Sequence, residues 1–204
     1  MKSFFVAVAV VGPLFLHWTI VRESDALLRV FLLLAAAVLL IAGMRSGRLM
    51  RHVLGALVMI GAAYLVDIRI ARALTPVWAA FVYVGLAWIF GRTLRPGFVP
   101  LIERFARMEH PEGFPLELVH YARRVTFVWS IFFVALALIT VLLACLASTE
   151  TLSLFTNVLS WVFLSALYFA EYAYRQWWGF PQFAHKNPVR VAINIVRNAP
   201  QLMR

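Results

Sequence analysis

The sequence predicts an all-α integral membrane protein with six transmembrane helices and an interfacial amphipathic cytoplasmic segment. Of its 204 residues, 63% are hydrophobic and only 14% are charged, which is far outside the average for soluble proteins. The apolar residues come in blocks of roughly 20, the length that crosses about 30 Å of hydrocarbon as a helix. The basic residues fall mainly in alternate connections between these blocks, as expected for a chain that crosses a membrane several times.

The apolar blocks define six predicted spans within a single transmembrane domain, 1–204. They lie at about 4–21, 26–44, 53–72, 75–91, 125–147 and 152–171. The third span is the weakest, because its uncharged run, 53–66, reaches spanning length only if it continues through Asp67 and Arg69. The first block follows Lys2 as the apolar part of a signal peptide would, but it has no convincing small-residue cleavage site, so we expect a retained helix.

The lysines and arginines predict the orientation. With a cytoplasmic N-terminus, 15 of the 19 fall on the cytoplasmic side: Lys2, Arg45, Arg48, Arg51, Arg92, Arg95, Arg104, Arg107, Arg123, Arg124, Arg175, Lys186, Arg190, Arg197 and Arg204. Four acidic residues offset the four basic residues on the other side: Arg22, Arg29, Arg69 and Arg72. Because cytoplasmic loops carry the excess of basic residues, both termini are expected in the cytoplasm, with a cytoplasmic connection at 91–124 and a cytoplasmic tail at 172–204.

The run "GRTLRPGFVPLIERFARMEH", 91–110, lies in the cytoplasmic connection. Its apolar residues recur at spacings of three and four: Phe98, Leu101, Ile102, Phe105 and Met108. This spacing predicts an amphipathic helix in the membrane interface, with Arg104 and Arg107 directed toward anionic head groups. Glu103 and Arg107 have the spacing of an i,i+4 ion pair. A second helix, "LELVHYARR", is expected to run into the fifth span, and another helical stripe is expected at 189–196 in the tail.

Together with "YARRVTFVWSIFF" and the "AEYAYR" exit of the last span, this arginine-rich run resembles a family of uncharacterised bacterial inner-membrane proteins. Members of that family are often encoded beside acyl carrier proteins, ketosynthases and dehydratases in aryl-polyene or related fatty-acid-like clusters. The resemblance covers most of the chain and supplies no catalytic residues. It implies an accessory or scaffold component of a carrier-protein-dependent lipid or polyene pathway at the bacterial inner membrane.

The six arginines of the connection have two interpretations, as anchors to anionic membrane lipid or as a docking patch for an acidic soluble partner, which would be an acyl carrier protein or a neighbouring pathway enzyme. They are Arg92, Arg95, Arg104, Arg107, Arg123 and Arg124. Positive-inside bias alone accounts for lipid contacts. Charge complementarity would steer an acidic protein to the same surface. A nucleic-acid partner is disfavoured, because the basic residues are scattered along a membrane face.

The sequence leaves open whether the protein is an enzyme. Asp25 and Asp67 are its only aspartates and lie on different predicted helices, so a clustered Mg²⁺ site is disfavoured. Glu117 and His120 have the i,i+3 spacing of a di-iron motif, but that motif needs two such pairs. Cys145 is the only cysteine, which excludes a disulfide within the chain and a multi-cysteine zinc site. We therefore expect no metal and no cofactor.

Two alternatives to a scaffold remain. A membrane transferase with an unrecognised site would use residues at the inner interface: Arg92, Arg95, His110, Glu117 and His120. A transporter or flippase would need a polar cavity, and clustering of His17, Arg29 and Asp67 would favour it.

Several polar residues near span ends have simpler structural interpretations. His17 is expected to hydrogen-bond another helix, and Ser24 is expected to cap the second helix. The i,i+4 spacing predicts two further ion pairs: Asp25–Arg29 and Glu171–Arg175.

Overall fold

The computed structural model describes residues 2–46, 49–109 and 116–179, with side chains at 11–41, 43–44, 50, 52–107 and 116–177. Every secondary-structure element in these ranges is helical, so the all-α class is confirmed. The α-helices are α1 (Lys2–Val21), α2 (Asp25–Ser46), α3 (Leu49–Leu65), α4 (Ile68–Arg92), α5 (Leu101–Glu109), α6 (Leu116–Leu146), α7 (Thr149–Leu154) and α8 (Ser160–Tyr174). The predicted tail helix at 189–196 lies outside the described residues.

Two π-helical turns accompany the last helix. The first, Phe155–Leu159, joins α7 to α8, and the second, Arg175–Gly179, follows α8. A π-helical turn holds one more residue than the corresponding α-helical turn, so it changes which side chains share a face. Such turns occur frequently at functional sites.

Three helices within the described residues are long and apolar enough to cross a membrane: Ile68–Arg92, Leu116–Leu146 and Thr149–Trp177. Val11–Val21 and His52–Leu65 are shorter apolar helices. These findings support a membrane-associated helical protein, but they do not support six spans. The helix that contains the predicted fifth span begins at Leu116, so "LELVHYARR" runs into it without a break, as expected.

The predicted third span is wrong at its end, because α3 stops at Leu65 and α4 begins at Ile68. Asp67 Oδ1 accepts a hydrogen bond from Ile70 N at 2.9 Å, and Asp25 Oδ1 accepts one from Ile68 N at 2.7 Å. The first N–H groups of a helix have no acceptor within that helix, so these carboxylates define the start of α4. The charged residues after Asp67 therefore belong to α4, and α3 keeps only 17 residues.

The chain divides into two compact units, one formed by 1–79 with 140–160 and the other by 80–139 with 161–204. In the first unit, α2 and α3 pack against each other. They approach closely at Gly43, where an added Cβ would stand 2.6 Å from Cβ of His52. A separate apolar core joins Ile20, Leu28 and Ile68.

In the second unit, aromatic rings join the end of α4 to α6. The Phe90 ring lies 5.5 Å from the Phe133 ring and 6.1 Å from the Trp129 ring, measured between centroids. Ser130 Oγ donates a hydrogen bond to the Ala87 carbonyl at 3.2 Å. The end of α4 is therefore attached to α6 by both ring packing and a hydrogen bond.

Replacing Gly43 by alanine is expected to destabilise the α2–α3 pair. The new Cβ would meet the Cβ of His52, which moves only with its backbone, and overpacking of this kind costs about 1–3 kcal/mol. Gly61→Ala is the matched control, since nothing lies within 4 Å of its added Cβ. The control should unfold at the same or a higher temperature, because alanine favours a helix over glycine by about 1 kcal/mol. Equal melting temperatures for the two variants in detergent would contradict the close approach at Gly43.

Candidate functional site

The connection between α4 and α5, residues 93–100, is folded against the helices that flank it. Thr93 is buried, and its hydroxyl donates to the Phe90 carbonyl at 2.8 Å while accepting the N–H of Leu101 at 3.1 Å. Gly97 has a φ of +83°, a conformation that glycine adopts without steric cost. Pro100 is buried and supplies the carbonyl that accepts the N–H of Arg104 at 3.0 Å.

A second threonine holds the start of α5 against α6. Thr126 is fully buried, and its hydroxyl donates to the Ala122 carbonyl at 2.7 Å and accepts the N–H of Ile102 at 3.3 Å. The N–H groups of Leu101 and Ile102 are the first two of α5 and have no acceptor within that helix. We call the hydroxyls of Thr93 and Thr126 the threonine latch, because they satisfy both groups and attach α5 to α4 and α6.

Glu103 lies on the buried side of α5, with 4% of its side chain exposed. Arg107 donates to its Oε1 from Nε at 2.7 Å and from Nη2 at 2.6 Å, so the predicted i,i+4 pair is confirmed. The predicted apolar stripe needs a correction at its start, because Phe98 precedes the helix and is 55% exposed. The predicted stripe would face lipid, but Leu101 is buried within the protein and shares that side of α5 with the Glu103 carboxylate.

Two other predicted site arginines also contact their own segment. The guanidinium of Arg92 lies over the Trp88 ring, 4.8 Å from its centroid, which is a cation–π contact. Arg104 Nε donates to the Val99 carbonyl at 3.1 Å. Both side chains are half-buried.

The remaining three predicted site arginines are exposed. Arg123 Nη2 donates to the Leu94 carbonyl, which ties α6 to the 93–100 connection. Arg95 and Arg124 make no hydrogen bond or ion pair within the described part of the chain. A guanidinium presents its N–H groups in a planar fork that matches a carboxylate or a phosphate. The 93–100 connection and α6 therefore carry exposed groups that are suited to an anionic partner.

A polar cluster that includes the predicted Glu171–Arg175 pair joins α6 to the end of α8. Arg175 Nη2 lies 3.3 Å from Glu171 Oε2, which confirms the pair. Tyr121 OH donates to Glu171 Oε1 at 3.0 Å, and the Tyr121 and Tyr174 rings stack with centroids 5.9 Å apart. Sequence reasoning missed Tyr121, since no local spacing connects residues 50 positions apart.

A buried polar row follows one face of α7 and the first π-helical turn. Its members are Ser153, Thr156, Asn157 and Ser160. His17 Nδ1 lies 2.9 Å from Ser153 Oγ, so His17 contacts another helix as expected. Asn157 Nδ2 donates to the Ser153 carbonyl at 3.1 Å, and Ser160 Oγ donates to the Thr156 carbonyl at 3.0 Å. These four residues recur at spacings of three and four, which is visible in the sequence. Small polar residues within an otherwise apolar predicted span do not by themselves indicate a buried row.

The residues required by the transporter alternative do not come together in the described structure. His17 contacts Ser153, Asp67 caps α4, and Arg29 is exposed on α2. The predicted Asp25–Arg29 pair is not found there, because Asp25 accepts the Ile68 N–H instead. Ser24 does cap α2, accepting the N–H of Leu27 at 3.3 Å.

The residues of the transferase alternative are only partly described. Glu117 and His120 are exposed on α6, while His110 lies outside the described residues. No group of three or more histidine, cysteine or acidic side chains in the described ranges could hold a metal ion.

Comparison with protein-family models, curated proteins and solved structures gives no match for this chain. The family resemblance of the arginine-rich run therefore stays a prediction. The roles proposed below for individual residues are therefore argued from the contacts described above.

Replacing Thr126 by valine is expected to loosen α5 while keeping nearly the same shape. The N–H of Ile102 would lose its acceptor, and an unsatisfied buried donor costs about 1–3 kcal/mol. Hydrogen exchange over 101–109 should become faster in the purified protein. Thr19→Val is the matched control, because Thr19 is also fully buried but its hydroxyl donates to the Phe15 carbonyl of its own helix. Unchanged protection of 101–109 in Thr126→Val would exclude the latch.

Proposed function

We propose that this protein is an accessory or scaffold component of a carrier-protein-dependent lipid or polyene pathway, and that it holds an acidic acyl carrier protein at the membrane. The observation that carries the proposal is the exposure of Arg95 on the 93–100 connection and of Arg123 and Arg124 on α6, the two elements that the threonine latch attaches to α5. The resemblance of the same segment to a family encoded beside acyl carrier proteins supplies the class of partner.

Two physical properties of this surface favour protein docking. First, the latch orders the segment before a partner arrives, so less conformational entropy is lost on binding. Second, complementary charge raises the rate of encounter and suppresses wrong partners. Anchoring to anionic lipid uses the same charges, but it requires neither a folded connection nor a fixed direction of each guanidinium.

The six predicted arginines have different roles under this proposal. Arg107 neutralises the buried carboxylate of Glu103, Arg92 packs over Trp88 within α4, and Arg104 holds the connection. Arg95 and Arg124 are the principal partner-binding residues, since no contact within the described residues occupies them. Arg123 contributes to both roles, because it is exposed and also donates to Leu94.

The proposal includes six spans in the bacterial inner membrane, with both termini and the arginine-rich segment in the cytoplasm. α2 supports the higher span count, since 22 residues at about 1.5 Å each measure about 33 Å. The shorter α3 would cross with local thinning of the bilayer. The concentration of basic residues in alternate connections supports the orientation.

Reporter fusions test this topology. Fusions after Met44 and after Arg107 should report a cytoplasmic location, and a fusion at Thr149 should report a periplasmic one, because basic residues concentrate on the cytoplasmic side. Alkaline phosphatase and green fluorescent protein give opposite signals at each site and serve as mutual controls. A periplasmic signal after Arg107 would rule out the proposed orientation.

Replacing both Arg95 and Arg124 by glutamate should abolish salt-sensitive capture of an acyl carrier protein. Reversing two exposed charges turns attraction into repulsion, so capture at low salt should fall at least about tenfold, equivalent to about 1.4 kcal/mol. Binding would be measured with the purified full chain and the carrier protein at low and high salt. These sites are preferable to Arg107, whose replacement would leave the buried Glu103 carboxylate unpaired.

The matched control reverses Arg22 and Arg29, two exposed arginines near the α1–α2 connection. It makes the same change in net charge, so it should retain capture if the docking surface is specific. Acidic-to-basic changes on the carrier protein should partly restore binding to the Arg95→Glu, Arg124→Glu variant. Normal insertion with undiminished capture by that variant would reject the docking function and leave the arginines as lipid anchors.

A further inference from the structure

Two consecutive residues of the second π-helical turn, Arg175 and Gln176, hold buried polar atoms that lack partners. Within the described residues, Arg175 Nε and Gln176 Oε1 are the buried side-chain nitrogen and oxygen atoms without a hydrogen bond. Buried polar groups in folded proteins are nearly always hydrogen-bonded, so each exception calls for an explanation. Arg175 Nε needs an acceptor, and Gln176 Oε1 needs a donor.

The surrounding side chains do not meet these needs. Glu171 already accepts from Tyr121 OH and from Arg175 Nη2, at 3.0 and 3.3 Å. The ion pair is mostly buried, with side-chain exposures of 18% for Arg175 and 15% for Glu171. The carboxylate therefore balances the guanidinium charge without reaching its Nε. A ligand for this site needs an acceptor and a donor, and it needs no net charge.

The position of the site in its helix indicates where such a ligand would come from. The helix Thr149–Trp177 is long and apolar enough to cross a membrane, and Arg175 and Gln176 lie at its end. Tyr174 and Trp177, on either side of them, are 51% and 71% exposed. Amphipathic rings of this kind favour the level of the lipid head groups.

We propose that Arg175 and Gln176 bind the head group of a membrane phospholipid that carries both a phosphate and a hydrogen-bond donor. A phosphate oxygen accepts from Arg175 Nε, and an ethanolamine ammonium or a glycerol hydroxyl donates to Gln176 Oε1. Consecutive Cα atoms are about 3.8 Å apart, so both side chains leave the helix at nearly the same level, and the proposed head group bridges them. The proposal uses none of the arginines assigned to carrier-protein docking and does not depend on that function.

The lipid test uses the delipidated full chain and four probes. Phosphatidylethanolamine, phosphatidylglycerol and phosphatidylcholine with identical acyl chains would be added separately, and inorganic phosphate would be the acyl-free control. Native mass spectrometry would measure retention of the lipids, and thermal unfolding would measure protection by all four probes. The first two lipids should bind at least about fivefold more tightly than phosphatidylcholine, whose head group lacks a donor. Equal binding of all three lipids, or equal protection by inorganic phosphate, would overturn the proposal.

Two variants remove one polar atom each and leave the Glu171 carboxylate with a cation. Arg175→Lys keeps the positive charge but puts a methylene where Nε stood, and Gln176→Leu removes Oε1 while preserving the ion pair. Each should weaken binding of phosphatidylethanolamine and phosphatidylglycerol about tenfold, since hydrogen bonds to charged groups are the stronger ones.

Arg69→Lys is the matched control, because Arg69 is exposed on α4, and it should bind both lipids as the parent protein does. Gln176→Leu keeps the test decisive if Arg175→Lys does not fold. Parent-like affinity in a folded Gln176→Leu protein would show that no head group donates to Oε1, which would reject the proposal.

Discussion

The need to satisfy the first N–H groups of each helix organises this fold. These groups have no acceptor in their own helix, and water cannot replace one where the helix start is buried, as at Ile68 and Leu101. Here the acceptors stand elsewhere in the chain: Asp25 on α2 receives the first N–H of α4, and the threonine latch receives the first two of α5. Each of these caps also joins two elements, so the chain is stabilised at the points where it changes direction.

The need to satisfy backbone groups also determines which arginines are available to a partner. A folded connection without regular helix leaves carbonyl groups without a backbone N–H donor, and Arg104 and Arg123 donate to two of them, on Val99 and Leu94. Their first role is therefore within the fold. The sequence does not distinguish the arginines of the basic run, whereas the structure separates those that complete the fold from Arg95, which is exposed and has no hydrogen bond or ion pair within the described residues.

The parts of this molecule that sequence predicts well are those that helical spacing determines. Glu103 and Arg107 stand four apart and had to meet once the helix formed, so their pair was readable. Asp25 has the same spacing from Arg29, yet it contacts Ile68, 43 residues away, because a helix N-terminus there offers an unsatisfied N–H. Spacing along the sequence determines which side chains are neighbours within one helix. It carries no information on which helix end will arrive beside a given carboxylate, so caps between elements were missed.

Buried polar groups of the described helices can be sorted by whether the chain itself satisfies them. Asn157 donates to the Ser153 carbonyl one turn earlier, and His17 forms a hydrogen bond with the Ser153 hydroxyl. The buried polar row therefore contributes to the packing of α1 against α7 without a ligand. Arg175 is different, since its charge is balanced by Glu171 while its Nε has no acceptor within the described residues. Charge balance and hydrogen-bond satisfaction are separate requirements. A site that meets the first and not the second favours a molecule that supplies both an acceptor and a donor, which is why a head group with its own donor fits better there than a simple anion.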